Sequence, residues 1–178
     1  MSTAAELTRE VLAQRARALA APLKGTILPV GLLQLVTFSL GDGLYGVEDL
    51  HVHGVAQLGR VTPIPGAPSA IAGITMHLGD LLTVVDLRLL LGVSPSASDE
   101  CGFLLILADG RGQIGVMVKG FGNMATAGDE DVRASKPAGD TKASGLIRGV
   151  TPDGVIVIHT EGLLAHPDVN AQHVERET

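Results

Sequence analysis

Pairs of short apolar runs joined by glycine- and aspartate-rich turns recur along the chain, and they constrain its fold most. Residues 33–47 read LQLVTFSLGDGLYGV, with a Gly-Asp-Gly turn between two runs of strand length. The same arrangement recurs at residues 72–92, 103–121 and 146–167. Each of these units predicts a β-hairpin, so the chain is expected to be all-β.

Length and composition limit how such a chain can build a core. Its 178 residues suffice for one domain or for two small lobes. The chain has no Trp, one Tyr and three Phe, so valine, isoleucine and leucine must supply the core. Because 23 glycines and 9 prolines are spread along the chain without a period, the composition indicates many turns between short strands.

Two halves of the sequence look alike in outline. Each begins with a hairpin and ends with a second hairpin, which is followed by a short segment that reads DLRLLLG at 86–92 and TEGLLAH at 160–166. The polar loop at 94–101 joins the halves. Because closure removes exposed sheet edges, we expect a pair of small related β-barrels, or else a sandwich.

Residues 122–145 are the exception to this hairpin pattern. They read GNMATAGDEDVRASKPAGDTKASG and are mostly small, polar and turn-forming. Such a composition is typical of a long loop. We expect at most one short strand in this segment, near Val132.

Residues 1–22 predict an N-terminal amphipathic helix. Thr3 is a candidate N-cap with Glu6 three residues later, and Pro22 ends the segment. Apolar side chains fall near one stripe, which comprises Leu7, Val11, Ala18 and Leu19. This helix packs either on its own domain or on a partner. The expected boundaries are the helix at 1–22, a linker at 23–33, a folded domain at 34–166 and a frayed tail at 167–178.

Charge and cysteine content exclude several classes of function. A net charge of −6 and a pI near 5.4 leave no basic patch for nucleic acid or for an anionic membrane. The chain shows no signal peptide and no run long enough to span a membrane, so direct membrane insertion is not expected. A single cysteine, Cys101, excludes an intramolecular disulfide. These features predict a cytoplasmic protein.

Four segments in fixed order carry a family resemblance. They read LVTFSLGDGLYGVEDLHVHGV, VTPIPGAPSAIAGITMHLGDLLTVVDLRLLLG, ILADGRGQIGVMVKGF and GLIRGVTPDGVIVIHTEGLL. Together they resemble the CheW family of bacterial chemotaxis adaptors across residues 34–166. The most specific part is the Pro-x-Pro motif followed by spaced glycines and by Val-Asp-Leu-Arg.

The resemblance implies two SH3-like five-stranded β-barrel subdomains around a groove, with short helices after strands and the N-terminal helix as an addition. It implies a non-catalytic adaptor without a cofactor. Such an adaptor couples the cytoplasmic tip of a chemoreceptor to the regulatory domain of a CheA-like histidine kinase. Its binding energy comes from apolar surface with a polar rim.

The resemblance also implies where the interaction surface lies. The candidate residues fall within 72–92 and comprise Gly73, Ile74, Met76, Leu78, Gly79, Asp86 and Arg88. Gly73 and Gly79 are expected to shape a receptor-binding ridge, with Leu78 at its centre in place of the usual arginine. Leucine has no guanidinium group, so the contact there is apolar or the partner differs. The departures predict a divergent member of the family.

Asp86 and Arg88 have a second interpretation, which requires no partner. They lie two residues apart where a strand passes into a helix. Asp86 could accept hydrogen bonds from the helix amides, and Arg88 could pair with a nearby acid. No nucleophile or second carboxylate is adjacent in sequence, which argues against catalysis.

The histidines define an alternative function. His51 and His53 are spaced to share one face of a strand, and His77 follows another apolar strand. Histidine is a common metal ligand, so a metal or small-ligand sensor built on the same barrels is the alternative hypothesis. Nothing in the sequence itself brings these segments together.

Overall fold

The computed structural model describes residues 30–93, 100–110, 112–134, 143 and 145–170. The predicted N-terminal helix and most of the predicted linker lie outside the described residues. The first strand begins at Leu32, so the last two residues of the predicted linker belong to the folded domain.

Ten strands make up about half of the described chain. They are β1 (Leu32–Leu40), β2 (Gly43–Glu48), β3 (Val52–Gln57), β4 (Ile71–His77), β5 (Asp80–Val85), β6 (Phe103–Ala108), β7 (Gln113–Val118), β8 (Gly120–Gly128), β9 (Ile147–Val150) and β10 (Ile156–Ile158). Four short helices accompany them, namely α1 (Leu87–Leu91), α2 (Asp129–Ala134), α3 (Thr160–Leu164) and α4 (Pro167–Asn170), with a 3₁₀ turn at Asp49–His51.

The strands form two five-stranded sheets. Subdomain 1 has the order β8-β1-β2-β10-β9, and subdomain 2 has the order β3-β6-β7-β5-β4. All four predicted hairpins are present as antiparallel pairs, β1 with β2, β4 with β5, β6 with β7 and β9 with β10. The prediction of an all-β protein with two SH3-like subdomains is confirmed.

The subdomains are not the two sequence halves that the pattern suggested. Subdomain 2 is continuous from β3 to β7, whereas subdomain 1 combines β1 and β2 with β8, β9 and β10. The parallel pairs β2 with β10 and β5 with β7 join strands from the two halves. The pattern missed this because local turn signals specify hairpins but carry no information on parallel, long-range pairing.

The two subdomains nevertheless share one strand order. Each strand of subdomain 1 has an equivalent at the same place in the sheet of subdomain 2. The pairs are β8 with β3, β1 with β6, β2 with β7, β10 with β5 and β9 with β4. Subdomain 1 is therefore a circular permutation of subdomain 2. The ladders place Gly46 beside Val157 and Gly115 beside Val84 at equivalent positions. The similar segments at 86–92 and 160–166 are α1 and α3, which follow the equivalent strands β5 and β10.

Among the described residues, three hydrophobic clusters stabilise the fold. The interior of subdomain 1 contains Leu35, Ala127, Val132 and Val157. The interior of subdomain 2 contains Leu82, Val84, Leu104 and Ile106. The largest cluster joins the subdomains and includes Phe38, Val47, Leu105 and Val116. Since strand residues alternate between faces, one face of each sheet lines its own interior and the other packs against the second subdomain.

The pairing of the ten strands leaves both sheets open. A different additional contact completes each one. In subdomain 2, Thr62 and Ile74 exchange backbone hydrogen bonds of 2.8 and 2.9 Å, so the segment after β3 pairs with β4. In subdomain 1, α2 packs between the edge strands β8 and β9, with Val132 buried.

Two expectations for irregular chain are wrong. The segment predicted as a long loop contains most of β8 and all of α2, and Val132 lies in the helix rather than in a strand. β8 is stabilised by nine-residue β1 beside it, a tertiary contact that overrides the turn-forming composition. The predicted frayed tail begins with α4, whose Val169 is buried, and residues 171–178 lie outside the described residues.

Candidate functional site

The β4–β5 hairpin of subdomain 2 carries most of the predicted interaction residues. Met76 lies directly opposite Leu81, and His77 lies opposite Asp80, which leaves Leu78 and Gly79 as the two turn residues. Both have positive φ, +50° for Leu78 and +95° for Gly79. A two-residue hairpin turn of this kind favours Asn-Gly, so leucine is an unfavourable residue for this backbone conformation.

The hairpin ends in an exposed apolar surface. Leu78 is 92% exposed, Met76 65% and Leu81 44%. We call these three side chains the apolar tip. Met76 and Leu81 are cross-strand neighbours on one face of the hairpin. Sequence reasoning named Met76 and Leu78 but missed Leu81, which the register of the hairpin would have supplied.

Gly73 and Ile74 lie further down β4, away from the tip. Gly73 has φ +146°, and a Cβ at this position would overlap the backbone of Thr62 and Pro63. Ile74 is half-buried, and its backbone pairs with Thr62. Both residues therefore take part in the contact that completes subdomain 2. The structure places neither of them beside Leu78.

Asp86 and Arg88 form a local structural unit at the start of α1. The Asp86 carboxylate accepts hydrogen bonds from the Arg88 backbone amide at 3.1 Å, from its Nε at 2.9 Å and from its Nη2 at 2.7 Å. Both side chains are close to buried. These contacts are the helix cap and ion pair of the interpretation that requires no partner.

The three histidines are not assembled into a site. His51 lies in the 3₁₀ turn and is buried, whereas His53 is exposed on β3, so the expectation that they share a strand face is wrong. A β-bulge between Val52 and Gly54 interrupts β3 beside them. His77 is at the end of β4. Among the described residues, no group of three or more His, Cys, Asp or Glu could hold a metal ion.

A cleft of about 490 Å³ in subdomain 1 was not predicted from the sequence. Its charged wall centres on Arg148 of β9, which pairs with Glu48 of β2 and, at 2.5 Å, with Asp129 of α2. Arg133 also pairs with Asp129, at 3.0 Å. The cluster therefore ties α2 to the sheet. Arg148 and Glu48 are separated by 100 residues, and no local pattern reports such a pairing.

The charged cluster lowers the pKa of Asp129. Partial desolvation makes the largest single contribution to the Asp129 pKa and raises it. The hydrogen bonds and positive charges of Arg148 and Arg133 together outweigh that contribution, and the pKa lies below its ordinary value of 3.8.

Comparison with known proteins decides the family. The family model described as the CheW-like domain matches residues 34–168, which is most of the chain. This chain belongs to the CheW-like family. The sequence resemblance is thereby confirmed, and the family to which the chain belongs is one of non-catalytic adaptors.

Curated relatives show that the chain is a divergent member. It is 25% identical over 139 residues to the chemotaxis protein CheW of Klebsiella aerogenes, a match that covers 76% of this chain and 84% of that protein. It is 26% identical over 125 residues to CheW of Treponema pallidum, covering 68% and 74% of the two chains. Protein FrzA of Myxococcus xanthus is 44% identical over 50 residues, which are 28% of this chain and 31% of FrzA.

A solved structure shows the same fold. The scaffolding protein TtCheW from Thermoanaerobacter tengcongensis superposes with a TM-score of 0.66 at 23% identity, covering 76% of this chain and 94% of that one.

Within the described ranges, no helix has the length and apolar character needed to cross a membrane.

Proposed function

We propose that this protein is a cytoplasmic adaptor that couples the cytoplasmic tip of a chemoreceptor to the regulatory domain of a CheA-like histidine kinase. Family membership supports the adaptor role, and the apolar surface at the end of the β4–β5 hairpin supports a protein partner. The residues assigned to the receptor contact are Met76, Leu78 and Leu81, with Gly79 shaping the turn.

The observation that carries this proposal is the conformation of Leu78. Its positive φ costs about 1 kcal/mol relative to a residue suited to that region. Because the side chain is almost fully exposed, the protein lacks the stabilisation of about 1.5–3 kcal/mol that burial of a leucine contributes. Leu78 is therefore unfavourable in the isolated protein, both in backbone conformation and in exposure. Its side chain contributes to the free energy of binding when a partner covers it.

The other candidate residues support the hairpin and do not touch the partner themselves. They are Gly73, Ile74, Asp86 and Arg88. Gly73 and Ile74 fix β4 against Thr62, and the Asp86–Arg88 pair fixes the start of α1 after β5. They hold both strands of the hairpin in place, and the apolar tip makes the contact.

The experiment compares affinity for a receptor cytoplasmic-tip fragment between the wild-type protein and Leu78→Asn. Asparagine suits the turn, so the fold is retained while the apolar side chain is lost. We expect binding to weaken by about tenfold or more, which corresponds to loss of about 1.4 kcal/mol or more.

The matched control is Leu50→Asn, which changes another leucine that is 66% exposed but lies outside the hairpin. This control is expected to bind receptor fragment with wild-type affinity. Equal affinity of wild type and Leu78→Asn would remove Leu78 from the receptor contact. Binding of neither a receptor fragment nor a kinase regulatory domain by the wild type would refute the adaptor proposal itself.

A further inference from the structure

The chain enters subdomain 1 at a corner shared by three elements. The Gly31 carbonyl accepts a hydrogen bond of 2.8 Å from the Asp129 amide, and Leu32 of β1 lies opposite Gly128 of β8. Val30 is fully exposed at this corner. Val30, the first described residue, therefore lies beside the start of α2, at the end of the β1–β8 pair.

A strip with two exposed apolar side chains begins at the same corner. The outer face of the sheet carries Leu32 and Gln34 of β1 and Thr126 and Met124 of the edge strand β8, where Gln34 lies opposite Thr126 and Met124 lies opposite Val36. We call Leu32, Gln34, Thr126 and Met124 the β1–β8 strip. Leu32 is 39% exposed and Met124 is 43% exposed. Beyond them Val36, opposite Met124, packs against the cluster that joins the two subdomains, so the strip continues that apolar interface to the surface.

Charge distinguishes the entering segment from the surface beside the strip. Residues 1–29 contain four basic and two acidic residues, in a chain whose net charge is −6. The first turn of α2 is acidic, with Asp129, Glu130 and Asp131 in sequence. Glu130 is exposed on the corner where the segment leaves. Asp129 is already paired with Arg148 and Arg133, so exposed Glu130 is the acid beside the β1–β8 strip that can attract the basic segment.

The dimensions fit a segment that folds back. A helix from Thr3 to Ala21 would be about 28 Å long, and seven extended residues from 23 to 29 reach about 24 Å. The strip from Leu32 to Val36 is about 14 Å long. The connection is therefore long enough to reverse direction and lay the helix along β1 and β8.

We infer that residues 1–22 dock on the β1–β8 strip of their own chain. The stripe of Leu7, Val11, Ala18 and Leu19 covers Leu32 and Met124, and the arginines of the segment face the acidic start of α2. Amphipathic helices bind apolar grooves in this manner, and the short connection raises the effective concentration of the segment at the strip.

The test is limited proteolysis of the full chain with trypsin, which cuts after Arg15 and Arg17. The reference is a synthetic peptide of residues 1–29. Because cleavage follows the population of the undocked state, we expect these sites to be cut about tenfold more slowly in the full chain than in the peptide. Met124→Asp and Glu130→Lys should each restore most of the fast cleavage.

The matched control is Val55→Asp. Val55 is the residue of β3 that corresponds to Met124 in the permuted subdomain, and at 45% it is equally exposed. We expect it to keep the slow cleavage of the wild type. Cleavage of the full chain as fast as of the peptide would overturn the inference. Equal effects of Val55→Asp and Met124→Asp would do the same, and protection that depends on protein concentration would show docking on a second copy instead.

Discussion

Subdomains 1 and 2 have the same strand order but complete their sheets differently. In subdomain 2 an extended segment pairs through Thr62 with β4, whereas in subdomain 1 helix α2 packs against β9. Each contact meets the strand at a glycine. A Cβ on Gly73 would overlap the backbone of Thr62, and one on Gly149 would overlap the backbone of Val132. Gly73 is therefore required by the closure of the sheet, whatever partner the hairpin binds.

The corners after the two equivalent strands differ as well. Asp86 caps α1 and pairs with Arg88. His159 occupies the corresponding position before α3, with similar backbone angles and no side-chain cap. The fold therefore tolerates a corner without a cap, and the Asp86–Arg88 unit is an addition specific to the subdomain with the apolar tip.

The largest expected loss of stability concerns Gly73 and Gly149, the glycines at the contacts that complete the two sheets. Gly73→Ala and Gly149→Ala should each destabilise the protein by about 3 kcal/mol or more, because the new Cβ displaces backbone that cannot move aside. Urea unfolding measures the loss. Gly102→Ala is the control, since a Cβ there meets no atom within 4 Å. Equal stability of Gly73→Ala and Gly102→Ala would contradict the proposed closure of subdomain 2.

The corner comparison predicts unequal effects of removing the two side chains. Asp86→Ala should cost about 2–3 kcal/mol, because it removes the cap and the partner of a nearly buried guanidinium. His159→Ala should change stability by less than about 0.5 kcal/mol. His159→Asp sharpens the comparison, since a new cap should add about 0.5–1 kcal/mol in thermal or urea unfolding. Similar costs for both alanine variants would show that the corners are energetically equivalent.

The charged cluster of Arg148, Glu48, Asp129 and Arg133 in subdomain 1 predicts a pH effect. The folded-state pKa of Asp129 is lowered, so its contribution to stability is complete above the unfolded pKa and is lost as the pH falls through the lower folded value. Arg148→Met removes the main partner. The urea midpoint of this variant should therefore fall less steeply than that of the wild type below pH 4. Parallel curves would show that Arg148 does not hold the Asp129 pKa down.

The smallest expected change is a gain in stability at the apolar tip. Leu78→Asn should stabilise the protein by about 0.5–1 kcal/mol, because asparagine tolerates positive φ better than leucine. Thermal unfolding measures this gain. A loss of stability instead would mean that Leu78 is favourable in the isolated protein, and that its exposure is no sign of a binding role.

Sequence reasoning succeeded where the determining interactions are local. The four hairpins follow from turn residues between apolar runs, and Asp86 was recognised as a cap from its place before a leucine-rich helix.

The errors arose where contacts span long distances along the chain. β8 has a loop-like composition but pairs along β1, and α2 is stabilised by burial of Val132 and by Arg148 from β9. The parallel pairs that define the permuted subdomains are equally non-local. The resemblance assigned Gly73 to a receptor-binding ridge, which stays a prediction, and only the structure shows its close contact with Thr62.

The most direct test of the account is a methyl NMR titration of the protein with a purified receptor cytoplasmic-tip fragment. The account predicts that the largest shifts occur at the methyl groups of Met76, Leu78 and Leu81, while Leu44 and Leu50, which are also exposed, remain unchanged. Binding of the fragment with shifts confined to residues outside the β4–β5 hairpin would contradict the claim that the apolar tip is the receptor contact.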